Sequence, residues 1–85
     1  MSRQIPTLGD NLIFVPQTTD SVCRNNGAPA NPAVVTQAWP GSGNCVNLTV
    51  FPDFGQPVSK GSVMHKSEAA EGSEYWVWPW EHNRN

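Results

Sequence analysis

Six positions near the end of the chain, Tyr75 to Trp80 in "YWVWPW", hold three of the four tryptophans and the only tyrosine. Flat aromatic rings in such density can do two things. They can fill a small core, or they can offer a surface on which a planar ligand stacks, each stacked base being held by roughly 1–3 kcal/mol. Trp76, Trp78 and Trp80 alternate with Tyr75, Val77 and Pro79, so in an extended strand the indoles share one face. A buried aromatic removes roughly 150–250 Å² from water, at most about 4–6 kcal/mol at the usual area coefficient. Trp76 and Trp78 are expected to pack inward. Trp80, beyond Pro79, is expected at a rim, where exposed aromatic surface marks a subunit contact or a ligand.

Other residues with usable chemistry are scattered. Asn47 sits inside the run "CVNLTVF", where asparagine is disfavoured, so its amide either meets solvent or bonds a partner. His65 in "SVMHK" can be a base, a metal ligand or a polar-face residue. Asp53 follows Phe51-Pro52 and is expected to fix a turn by bonding backbone N–H groups. Arg24, Lys60 and Lys66 are the cations available to a phosphate. The candidate ligand-binding set is therefore Trp76, Trp78, Trp80, Tyr75, Asn47, His65 and Arg24. No nucleophile elbow, Walker motif, dinucleotide fingerprint or HExxH is present, so no enzyme is expected. The spacing of Cys23, Cys45, His65 and His82 matches no metal site, and no cofactor is implied.

These residues need elements to hold them. With eight prolines and seven glycines, long helices are disfavoured. Five runs read as strands: Asn11 to Pro16, Ala33 to Trp39, Cys45 to Phe51, Ser62 to Lys66, and the aromatic run. In the third, Val46, Leu48 and Val50 share the face that should meet the core. In the second, Val35 and Trp39 share a face. The Gly-rich link "PGSGN" predicts an antiparallel hairpin between these two runs. "SEAAEG", Ser67 to Gly72, is a turn or one helical turn. Gln17 to Pro32 is a long irregular loop of the functional or mobile kind. The outline is all-β: a single domain, residues 1–85, forming a small five-stranded antiparallel SH3-like barrel with a long first loop.

The bulk numbers bound the partners. Eighty-five residues make one domain that buries a modest share of its surface, so oligomerisation would help it. Net charge is −2 and the five Lys and Arg do not cluster, which argues against nucleic acid. No apolar run has signal-peptide or membrane-spanning length, so a cytoplasmic, membrane-free protein with reduced cysteines is expected.

In order along the chain, Ile5-Pro6, Pro32 to Val35, Val46 to Leu48, Ser62-Val63 and Trp76 to Pro79 resemble a diffuse family of small proteins encoded by tailed bacteriophages and prophages. Its members carry a "VNL" strand and end on a W-x-W-P strand. Val77 stands where that motif often has histidine, which removes one possible ligand contact. The resemblance implies a phage product in the host bacterial cytoplasm. Small non-enzymatic phage proteins of this size either oligomerise and trap a nucleotide messenger of host immunity, or decorate and cement the virion. The first predicts a homo-oligomeric binder that sequesters a nucleotide-derived signal. The alternative is a virion or assembly protein. A third reading is an SH3-like module whose aromatic groove takes proline-rich peptides.

Overall fold

Valine, isoleucine and aromatic residues at alternate positions form strands because their branched or flat side chains fit a half-buried pleated surface. The computed structural model describes residues 5–39, 41 and 44–82. Within them lie β1 (Asn11–Val15), β2 (Asn31–Ala38), β3 (Val46–Val50), β4 (Val58–Val63) and β5 (Tyr75–Val77). A four-residue helix, α1 (Pro79–His82), follows, and the long first loop holds a 3-10 turn at Asn25–Gly27. The strands form one antiparallel sheet in the order β4-β3-β2-β1-β5. It is an all-β fold built on a five-stranded curled sheet.

The curl is visible at the seam. The chain leaving β4 reaches the opposite edge and bridges β5, with His65 beside Trp76. Trp76 N–H donates to the Met64 carbonyl at 3.0 Å, and Lys66 N–H donates to the Trp76 carbonyl at 3.1 Å. These bonds occupy edge groups of β5 that would otherwise be free to pair with another chain.

The inner face carries the core. Val46, Leu48 and Val50 on β3 meet Ala33 and Val35 on β2, Leu12 and Phe14 on β1, Val63 on β4 and Trp76 on β5. The phase expected for the third run is the phase found, and the second and third runs pair antiparallel, as Val35 with Leu48. Their link falls partly outside the described residues.

Three expectations need correction. The fourth strand runs Val58–Val63, not Ser62 to Lys66. "VSKGS" carries little hydrophobic pattern of its own, and its pairing with β3 makes it a strand. Trp39 does not extend β2 on the Val35 face: the register shifts between Val35 and Gln37, the strand stops at Ala38, and Trp39 is exposed. The aromatic strand is three residues, not six. Pro79 has no N–H to give a sheet ladder but suits the first position of a helix. Glu81, two positions on, reaches back to accept the Trp78 N–H at 2.8 Å, the reciprocal half of a capping box. The turn wins over the strand at Pro79, and Trp80 leaves the indole face.

The long first loop is pinned rather than loose. Cys23 is fully buried in the core, and its N–H donates to Asp20. Lys60 on β4 donates to Asp20 at 3.0 Å and lies 3.6 Å from Glu74. Asn26 donates to the Asp53 carboxylate at 2.9 Å and Asn25 to the Asp53 carbonyl at 3.0 Å. Asp53 thus ties two loops together. Ser67–Gly72 forms turns, opened by Glu68 and Ala69 N–H groups donating to the His65 carbonyl.

Candidate functional site

The residues of β5 divide between two faces. Trp76 turns inward, while Tyr75 and Val77 turn outward. Val15 on β1 pairs with Tyr75, and Lys66 is fixed beside it because its N–H bonds the Trp76 carbonyl. The helix α1 folds back over this outer face and adds Glu81 and His82. Together Val15, Lys66, Tyr75, Val77, Glu81 and His82 line a cleft of about 440 Å³. The Lys66 ammonium lies 5.9 Å from the centroid of the Tyr75 ring, within cation–π range. One wall is a flat ring with a cation over it, and the other is a carboxylate and an imidazole.

His65 holds the Glu81 wall of the cleft in place. Its Nδ1 accepts the Ser67 N–H at 3.1 Å, with the Ser67 hydroxyl 2.9 Å away. A backbone N–H only donates, so Nδ1 is the acceptor and Nε2 carries the ring proton. Nε2 then donates to Glu81 Oε1 at 2.9 Å. Burial opposes ionisation of Glu81, but the hydrogen bonds from His65 and from the Trp78 N–H outweigh it and hold this carboxyl below its usual range. Hydroxyl, imidazole and carboxylate stand in a row. The imidazole lone pair is already taken by the backbone of Ser67, so the ring serves as a strut.

From His65 a chain of rings runs outward. His65 meets Trp76 edge-on at 4.6 Å, Trp76 meets Trp78 edge-on at 5.2 Å, and Trp78 stacks on Trp80 at 4.9 Å with planes 6° apart. Trp76 is 0% exposed and its indole N–H donates to the Asn44 carbonyl at 2.8 Å. Trp80 is 53% exposed.

The expected site residues therefore separate. Tyr75 lines the cleft, and His65 supports it through Glu81. Trp80 presents a ring at the surface. Trp76 is enclosed, and Trp78 is buried between its two neighbours, so both rings belong to the packing. Asn47 lies on β3, and its amide oxygen accepts the Ser62 N–H at 2.9 Å. Arg24 donates to the Pro16 and Gln17 carbonyls at 2.6 and 2.8 Å, fastening the long loop to the end of β1. Neither Asn47 nor Arg24 lines the cleft.

Sequence reasoning missed Glu81 and weighed His82 only as a metal ligand. The signal was in "WPWE": a proline followed two positions later by glutamate marks a helix start, and hence a carboxylate folded back toward the strand. Among the described residues, no group of three or more His, Cys, Asp or Glu is placed to hold a metal ion, and no helix is long and apolar enough to cross a membrane. Compared with protein-family models, with curated proteins and with solved structures, the chain shows no match.

Proposed function

We propose that the protein is a non-enzymatic binder that works as a homo-oligomer and takes a nucleotide-like small molecule at the cleft under α1. The observation that carries this reading is the Tyr75 ring with the Lys66 ammonium over it. That pair suits a ligand with a planar base and an anionic group. A base stacks against the phenol, and a phosphate reaches the ammonium. A single lysine neutralises a phosphate poorly, so a site shared between copies, each bringing its Lys66, fits better than a site in one chain. The exposed Trp80 ring next to the cleft is the natural subunit contact. The occupied lone pair of His65 favours binding over catalysis.

On this reading the curled sheet, its seam at His65 and Trp76, and its long first loop make a small SH3-like barrel. The resemblance to tailed-phage proteins supplies the setting, the host bacterial cytoplasm, and the role of sequestering a nucleotide-derived immune signal. The test is thermal unfolding with a panel of cyclic dinucleotides and ADP-ribose derivatives, against plain mononucleotides. Ligand at about a hundred times its Kd adds roughly 2.7 kcal/mol, a rise on the order of 10 °C for a domain of this size. The rise should vanish in Tyr75→Ala and Lys66→Ala. No rise across the panel overturns the reading.

A virion decoration or assembly role is favoured by a different feature. Phe54 is 93% exposed at a loop tip and holds a positive φ of 57°. A bulky residue in that backbone region is uncommon, and a ring presented in that way suits insertion into a partner. Mass spectrometry of purified particles decides it: absence from the virion removes this role.

A further inference from the structure

A second cleft, of about 370 Å³, lies between the end of β1, the end of β4 and the turns before β5. Its polar wall is made by Gln17, Ser62, Ser73 and Glu74, and its apolar floor by Met64, Ala69 and Ala70. The way Ser62 reaches it is unusual. Val46 pairs with Val63 and Leu48 pairs with Lys60, so the single residue Asn47 faces both Gly61 and Ser62. This is a bulge, which re-aims side chains at the edge of a sheet. Ser62 takes φ 55° there, a left-handed conformation that suits glycine far better. The strain falls on the serine although a glycine stands next to it. The Asn47 amide oxygen fixes this geometry by accepting the Ser62 N–H.

We propose that this cleft binds a primary alkylammonium group, as in a small diamine. An ammonium has three donors and no acceptor. The cleft offers the matching set: one carboxylate, two hydroxyls and an amide oxygen, with Met64, Ala69 and Ala70 to cover a short methylene chain. Charge points the same way. Lys60 is shared between Asp20 at 3.0 Å and Glu74 at 3.6 Å, so two carboxylates have one ammonium between them and a second cation completes the balance. An anion would meet Glu74 and is disfavoured. Asn47 is a positioning residue here, acting through Ser62. The site is separate from the Tyr75 cleft and does not depend on what that cleft binds.

The test is an amide-resolved NMR titration with 1,4-diaminobutane at constant ionic strength. Saturable shifts should centre on Ser62, Ser73 and Glu74. Tetramethylammonium, a cation with no N–H donors, should not reproduce them. Glu74→Gln should weaken binding by about 10-fold or more, and Ser62→Ala and Ser73→Ala by about 3-fold or more, as lost hydrogen bonds to a charged group require. Asn47→Ala should weaken it as Ser62→Ala does. Because Glu74→Gln also disturbs Lys60, the serine variants, read with unchanged melting temperature, keep the test decisive. Shifts that follow ionic strength alone, equal shifts with tetramethylammonium, or wild-type binding by Ser62→Ala overturn the proposal.

Discussion

His65 Nε2 stands 2.9 Å from Glu81 Oε1, and this one bond joins the seam of the sheet to the C-terminal turn. His65 is the residue that bridges β5 from the far edge. Glu81 is the residue that caps α1 through the Trp78 N–H. The cleft over Tyr75 exists because both ends of this bond are fixed.

Removing Glu81 should loosen the turn before the sheet. Glu81→Ala loses a cap and a bond to His65, each worth about 0.5–1.5 kcal/mol net when part-exposed. We expect a stability loss on the order of 1–2 kcal/mol and a melting temperature lower by several degrees. Urea unfolding measures the first, and hydrogen exchange at the Trp78 and His82 amides measures the second site of damage. An unchanged exchange rate at Trp78 would sink the capping assignment.

Stability should fall on acidification. Glu81 and Asp20 both sit below their ordinary values of 4.5 and 3.8 in the folded chain. For Asp20 the Cys23 N–H is the leading cause, with burial opposing it and Lys60 helping. The unfolded chain therefore binds these protons first, so the contribution is complete above the ordinary values and disappears as pH drops through the folded ones. Free energy of unfolding measured from about pH 6 down to about pH 2.5 should decline, and the double variant Asp20→Asn, Glu81→Gln should flatten the slope. At the alkaline end Lys60 behaves oppositely. Burial works against its charge, yet Asp20 and Glu74 raise it above 10.5, so its contribution is present below that value and is lost as pH climbs past it.

Trp76 and Trp80 should respond very differently to truncation. Trp76→Ala empties the centre of the core and should cost about 3–5 kcal/mol, a large part of the 5–15 kcal/mol that a domain commands. Trp80→Ala, on an exposed ring stacked on Trp78, should cost about 1 kcal/mol or less. Equal losses in chemical denaturation would contradict the ring order described above.

Cys23 should be chemically silent in the folded protein. Burial first, then the Asp20 carboxylate, push its thiol up to about 11, and the thiolate is the reactive form. Alkylation near neutral pH should leave Cys23 unmodified until denaturant is added, as peptide mass spectrometry would show. Modification of Cys23 at the rate of a free thiol would mean that the long first loop opens readily.

Much of the sheet could be read along the chain because its pattern is local. Val46, Leu48 and Val50 declare their face by a period of two, and the glycines after Trp39 declare the hairpin to β2. Burial of the Trp76 indole is the expectation for so small a domain, which needs large rings in its core. The remainder depends on contacts distant in sequence. β4 is a strand only because β3 lies beside it. Trp80 left the indole face because one proline and one glutamate favoured a helical turn, against a periodicity that pointed to strand. Neither cleft has a linear motif. One collects Val15, Lys66, Tyr75 and Glu81, and the other collects Gln17, Ser62 and Glu74. Composition and alternation determined an all-β chain with a buried indole. Only the curl of the sheet decided which polar groups face one another, because its seam brings together the end of β4 and the start of β5, where no period along the chain can register a partner.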